Sequence, residues 1–228
     1  MGDNDWIAYS EDSRLRHVVG KSLYTFYLRD YYGVDPTNGD ALFRDTDGNL
    51  TKDYNKAGYV YAGSPEPTYL GGFNTNVSWN GFQLGAFFEY KGGNKVMLIE
   101  KRYLESDGAS MNVNQVTTAL NYWKKPGDTG VTPKPVAGNS SNSNNFGTTR
   151  FVQKGDYLRI KDITFSYTFP KKMLDKAKIG NLKLYASAQN IYTFHDVDWW
   201  DPERGVDGIG YGIYPMTKAL VAGLELSF

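Results

Sequence analysis

The stretch Ala219-Leu220-Val221-Ala222-Gly223-Leu224-Glu225-Leu226-Ser227-Phe228 alternates in polarity up to its last residue. Leu220, Ala222, Leu224, Leu226 and Phe228 fall at one parity, and Val221, Gly223, Glu225 and Ser227 at the other. Successive side chains of a strand point to opposite faces, so this period of two predicts a β-strand with one apolar face and an aromatic end.

The same period recurs upstream. In Gly72–Trp79, Phe73, Thr75, Val77 and Trp79 oppose Asn74, Asn76 and Ser78. In Phe82–Tyr90, Phe82, Leu84, Ala86, Phe88 and Tyr90 oppose Gln83, Gly85 and Glu89. Between them Asn80-Gly81 supplies the two positive φ angles of a two-residue hairpin turn. A further run, Ile163–Phe169, stops at Pro170 and extends back through Tyr157–Lys161 with its apolar phase shifted by one. That shift predicts a β-bulge near Asp162. Pro170–Gly180 is a short basic connection, and Leu182–Tyr192 is the next strand, with Leu182, Leu184, Ala186 and Ala188 on one face.

Composition agrees. Of 228 residues 15% are aromatic and 22% charged, with 18 Tyr, 25 Gly and no Cys, which favours strands and turns over helices. Lys plus Arg and Asp plus Glu balance at 25 each, so no global field recruits nucleic acid. The start, Met1–Trp6, has neither a basic nor an apolar signal region. The chain is therefore read as cytosolic or as lacking its front. No window approaches the roughly 18 to 20 apolar residues of a membrane helix, but membrane strands need only about 9 to 11 alternating ones.

Ser22–Gly33, Ala41–Arg44 and Tyr59–Ala62 also read as strands, for a total of about seven or eight. The long irregular region 92–156 contains Pro133-Lys134-Pro135, the polar tract Gly138–Asn145 and a helix expected over Asn112–Trp123. Long loops alternating with turns as short as Asn80-Gly81 are the asymmetry of outer-membrane barrels. The expected fold is all-β: antiparallel strands of a transmembrane β-barrel with long extracellular loops.

Catalytic constellations are scarce. His17 and His195 are the only histidines and Cys is absent, which leaves no common zinc ligand set and no metal or cofactor site to expect. Asp45-Thr46-Asp47-Gly48-Asn49 opens like a calcium loop, but Leu50 and Lys56 stand where its glycine and glutamate belong, so a polar turn is expected. The acidic aromatic stretch Asp196–Glu203 either contacts a ligand, with Trp199 and Trp200 flat against a sugar ring or the stretch binding a cation, or its tryptophans pack in a folded loop or lie at a membrane interface. The carboxylates Asp201 and Glu203 invite a glycosidase reading, but Asp201-Pro202-Glu203 reads first as a turn.

Several of these segments, in order, resemble one family. Tyr157–Pro170 resembles the "YLRLKNVTLGYTFP" segment of SusC/RagA-type TonB-dependent outer-membrane transporters, and Leu182–Phe194 the following strand with its "SGQNLFTFT" end. Asp201-Pro202-Glu203, Tyr214-Pro215 and the terminal strand follow in the family's order. Upstream, Gly33–Asp40 resembles its "GVDPETGD" turn and Pro67–Tyr90 its glycine-rich hairpin. The resemblance runs from about Leu23 to the end.

It implies a plugged barrel of about 22 strands, a SusD-like surface lipoprotein as partner, and import of oligosaccharide or peptide with energy delivered through TonB. On this reading residues 1–228 are the C-terminal part of the barrel, with the plug and N-terminal barrel strands absent. The chain is then not an enzyme and lies in the outer membrane of a Gram-negative, Bacteroidetes-like cell. Leu220, Ala222, Leu224, Leu226 and Phe228 would face lipid, and Glu225, Ser227, Thr164 and Ser166 the lumen. Pro170–Gly180 would be periplasmic, and the loops 92–156 and 195–215 extracellular, where Trp199 and Trp200 could contact substrate. The rival reading, a secreted or cell-surface carbohydrate-binding β-sandwich, expects Leu224 and Phe228 in a core between two sheets.

Overall fold

The computed structural model describes residues 6–8, 14–110, 112–210 and 212–228. Residues 1–5, on which most of the reading of the start fell, lie outside them. The chain divides into two compact units, one of residues 1–66, 95–153 and 204–213, the other of residues 67–94, 154–203 and 214–228.

The second unit is one antiparallel meander of five strands: β1 (Tyr69–Trp79), β2 (Phe82–Gly92), β3 (Tyr157–Thr168), β4 (Asn181–His195) and β5 (Ala219–Ser227). The β1–β2 turn is the expected one, with φ of 47° at Asn80 and 88° at Gly81. Glycine is required there for a second reason, since a Cβ on Gly81 would lie 2.7 Å from the Thr168 carbonyl oxygen. The Thr168 amide donates to the Gly81 carbonyl at 2.8 Å.

The register aligns the apolar parities of all five strands. Phe73 pairs with Phe88 and Val77 with Leu84; Leu84 with Phe165, Phe165 with Ala186, and Ala186 with Ala222. Phe73 and Phe88 stack with ring centroids 4.7 Å apart, as cross-strand aromatic pairs do. The bulge expected near Asp162 is present: opposite β2, Ile160 pairs with Phe88 and Asp162 with Phe87, which leaves Lys161 as the added residue. Opposite β4 the register shifts at the same place, where Asn190 adopts φ of 52°. Without that added residue Leu158 and Ile160 would point away from the face shared by Ile163, Phe165 and Tyr167. Leu220, Leu224 and Phe228 are 84%, 63% and 92% exposed, so among the described residues no second sheet covers this face as a sandwich requires.

Tyr69 pairs with Gly92, and Tyr157 with both Lys91 and His195. The strand ends leading to the long connections therefore share one end of the sheet, and Asn80-Gly81 and 169–180 lie at the other. The latter connection is two helical turns, Lys171–Leu174 and Asp175–Ala177, pinned by buried Leu174.

The first unit is built differently. Its sheets have short strands, among them Thr25–Arg29, Tyr31–Val34, Ala41–Arg44 and Tyr59–Tyr61. These are the expected early strands, with Ser22–Gly33 divided in two. Among the described residues these strands pair with one another in short sheets. Leu15, Phe26, Leu28, Met97 and Phe151 form one core cluster, and Ala41, Phe43 and Ala57 a second. Fourteen strands occur among the described residues where sequence periodicity indicated about seven or eight; the added ones, such as Leu50–Thr51 and Lys95–Met97, are too short to display alternation.

Two local expectations resolve here. The helix expected over Asn112–Trp123 is only a 3-10 turn, Thr117–Leu120, because Val113 and Leu120 find no apolar surface to pack on and remain exposed. Gln115 and Thr118 instead bond to Ser106 and Glu105. Asp45–Asn49 is the polar turn expected: Asp45 Oδ1 accepts from the amides of Asp47 at 3.0 Å and Asn49 at 2.8 Å.

Candidate functional site

The polar parity of the meander concentrates its charged side chains on strands β2 to β4. Arg159 on β3 sits in register with Glu89 on β2 and Thr193 on β4. Its side chain is wholly buried. A buried guanidinium needs an acceptor for each donor edge and compensation of its charge, and Arg159 has both. Its Nε donates to Thr193 Oγ1 at 3.0 Å, Nη1 to Glu203 Oε2 at 2.9 Å and Nη2 to Asp201 Oδ1 at 2.5 Å.

The turn Asp201-Pro202-Glu203 is shaped for that task. Asp201 Oδ1 also accepts the Glu203 amide at 2.9 Å, and Asp201 Oδ2 the Met216 amide at 3.3 Å. Pro202 is buried. The two carboxylates that suggested a glycosidase pair are thus both committed to one guanidinium, which fixes the loop after β4 to the polar face of β3.

Alongside, Tyr157 donates its hydroxyl to Glu89 Oε1 at 2.8 Å, and Lys161 Nζ lies 3.4 Å from Glu89 Oε2. Arg159 lies 5.1 Å from the Tyr157 ring centroid. Leu70, Phe87, Glu89, Tyr90, Lys91 and Tyr157 line an open cavity of about 430 Å³ beside this network. That volume suits a small ligand or one segment of a larger one. The donor and acceptor set, aromatic walls with a carboxylate, an ammonium and a phenol, can bind a polar ligand and orient it.

The residues singled out in the sequence are dispersed. Trp199 is half-exposed with φ of 58°. Trp200 turns inward: its amide donates to the Asp198 carbonyl at 2.7 Å, and its Nε1 is buried without a partner. His195 ends β4 opposite Tyr157, whereas His17 packs on the Tyr24 ring at 5.4 Å in the other unit. Leu220, Ala222, Leu224, Leu226 and Phe228 share one exposed face of β5 and its C-terminal residue. Sequence reasoning missed Arg159, although an arginine at polar parity inside a long strand was the available signal.

No protein-family model matches the chain. It is similar to the TonB-dependent receptor P3 of Formosa agariphila, with 27% identity over 235 residues that cover 92% of this chain and 22% of that protein. It is similar also to the TonB-dependent receptor SusC of Bacteroides thetaiotaomicron, with 25% identity covering 93% of this chain and 20% of that protein. The solved RagAB peptide transporter superposes with a TM-score of 0.83 at 27% identity, over 98% of this chain and 25% of that one. The chain spans about a fifth of the length of these curated relatives. The SusC/RagA-type likeness seen in the motifs therefore extends over most of the chain, and its fold is all-β, that of a piece of a TonB-dependent transporter.

Proposed function

We propose that this chain, a relative of the SusC/RagA-type TonB-dependent receptors, is the C-terminal barrel segment of a nonenzymatic transporter that takes up peptide or glycan nutrients across the outer membrane. The observation that carries the reading is the single apolar face maintained across all five strands, through a register shift that would otherwise break it. Strands of 9 to 15 residues suffice to cross a bilayer, where about 9 to 11 tilted residues are needed.

In this reading Leu220, Ala222, Leu224, Leu226 and Phe228 contact lipid, and the Glu89–Tyr157–Arg159 network lines the lumen with Thr164, Ser166, Glu225 and Ser227. The sheet end bearing the long connections is extracellular, and Pro170–Gly180 is periplasmic. A SusD-like lipoprotein caps the extracellular side, Trp199 and Trp200 contact oligosaccharide or peptide, and TonB engages a plug outside these 228 residues. The relatives' names support the assignment: SusC and RagAB are described as a TonB-dependent receptor and a peptide transporter. The sandwich alternative fares worse, since Leu224 and Phe228 are exposed.

These 228 residues contain no Cys, so an introduced cysteine is the only one in this segment, and any cysteine elsewhere in the receptor is replaced first. In the complete receptor reconstituted into vesicles, a fluorophore on Leu224→Cys is expected to be quenched by nitroxide-labelled acyl chains, and one on Glu225→Cys to be quenched only by aqueous iodide. The opposite pattern refutes the orientation.

A further inference from the structure

A second cavity, of about 200 Å³, lies wholly within the first unit and is lined by Arg14, Ile99, Arg102, Tyr103 and Phe146. Ile99, Arg102 and Tyr103 come from the helix Ile99–Leu104, where spacings of three and four put them on one side. The Arg102 guanidinium lies 4.6 Å from the Phe146 ring centroid and 5.6 Å from that of Tyr103, and the Arg14 guanidinium 4.7 Å from Phe146. The Arg102 carbonyl accepts from Asn144 Nδ2 at 3.3 Å, which ties the helix to the tract that carries Phe146. Two cations and an aromatic wall are thus gathered in one cleft.

Among the described residues no carboxylate lines it. The acidic groups nearest Arg102 in sequence are engaged elsewhere: Glu100 with Arg204 at 2.9 Å, Glu105 with Lys101 and Thr118, and Asp107 with Arg150 and Ser143. Among the described residues the Arg102 guanidinium touches only rings. An arginine so placed keeps its planar fork of donors free for a carboxylate, while stacking on the rings limits the rotamers it must give up on binding.

We infer that the Arg102 cleft is a subsite for a carboxylate borne on a small body with an apolar face. The volume is below the roughly 300 Å³ at which pockets begin to bury whole drug-sized ligands, so the cleft takes one end group. Ile99, Tyr103 and Phe146 receive the carbon skeleton, and Arg102 receives the charge. Its source rests on the uptake reading above: the C-terminal carboxylate of a peptide or the uronic acid of a glycan.

The test uses the complete receptor in detergent with N-acetylphenylalanine, its carboxamide, galacturonic acid and galactose as probes, read by saturation-transfer NMR and calorimetry. Each acid is expected to bind about tenfold or more tightly than its neutral counterpart, as a charge-assisted hydrogen bond implies. Arg102→Gln should remove that preference and leave the neutral probes unchanged; Arg102→Lys, which keeps the charge without the fork, should retain part of it. A preference for N-acetylphenylalanine alone assigns the site to peptide ends, and for galacturonic acid alone to acidic glycans. Equal binding of acids and neutral probes, or an acid preference that survives Arg102→Gln, overturns the inference. The lipid quenching of a Leu224→Cys label in the same preparations reports separately on the membrane reading.

Discussion

Arg159 and Glu203 meet at 2.9 Å although 44 residues separate them in sequence, and with Asp201 they join a strand of the meander to a loop 42 residues away. Breaking a buried pair from one side leaves uncompensated charge. Arg159→Met is therefore expected to lower stability by about 3 kcal/mol. Glu203, 39% exposed at its side chain, is replaceable by Gln at a cost of about 1 kcal/mol or less. Guanidinium unfolding of the refolded receptor measures both, and limited proteolysis should find the 196–203 loop cut faster in the Arg159 variant alone.

Asn190 holds φ of 52° where the β3–β4 register shifts, and its Nδ2 donates to the Thr217 carbonyl at 3.1 Å. Asn190→Val should cost about 1–2 kcal/mol from the left-handed backbone alone. Asn190→Gly relieves the backbone but loses the hydrogen bond, and should cost less. The same unfolding assay ranks them, and an equal loss in both variants would mean that the hydrogen bond dominates.

Leu224 lies within the apolar face of β5, paired with Leu184. If that face meets lipid, Leu224→Arg should destabilise the folded barrel by roughly 2–4 kcal/mol. Loss of the heat-modifiable, folded band on unboiled gels provides the readout. Glu225→Gln at the opposite parity should leave that band in place.

Burial pushes the Tyr31 hydroxyl up to about 12 from its ordinary value of 10.0, against the opposing pull of Arg150. The folded state thus favours the neutral phenol. The associated stability is fully present below pH about 10 and is lost as pH rises through about 12. The difference in phenolate absorbance between the parent and Tyr31→Phe, titrated upward, should place the midpoint well above that of an exposed tyrosine. A midpoint near 10 would mean that Tyr31 is solvated.

What the sequence disclosed depended on the range of the forces involved. The hairpin at Asn80-Gly81 and the strand Ala219–Ser227 follow from local chemistry, backbone preference and a period of two, and both stand where periodicity put them. Even the irregularity near Asp162 was legible, because a shifted phase is still a phase. The first unit was not legible in this way. It is held by pairs such as Asp107 with Arg150 and Glu100 with Arg204, the latter 104 residues apart, and by strands too short to alternate. The helix Ile99–Leu104 is likewise too short for helical periodicity to register. At the candidate site, Asp201 and Glu203 drew notice as carboxylates, but their partner could not be read from spacing, since Arg159 reaches them only through the fold.

The meander's connections also set an order of assembly. The pair β1–β2 is joined by two residues and can close as a local hairpin on the microsecond scale. The pair β2–β3 cannot, because the segment between Gly92 and Tyr157 must be looped out before the first β2–β3 hydrogen bond forms, and that entropy is lost before any contact repays it. Until then the apolar edge of β2 is open to any other strand in reach. The vulnerable interval in the biogenesis of this chain is therefore the wait of a finished hairpin for its third strand, and a chaperone or assembly factor that shields β2 would be most effective then.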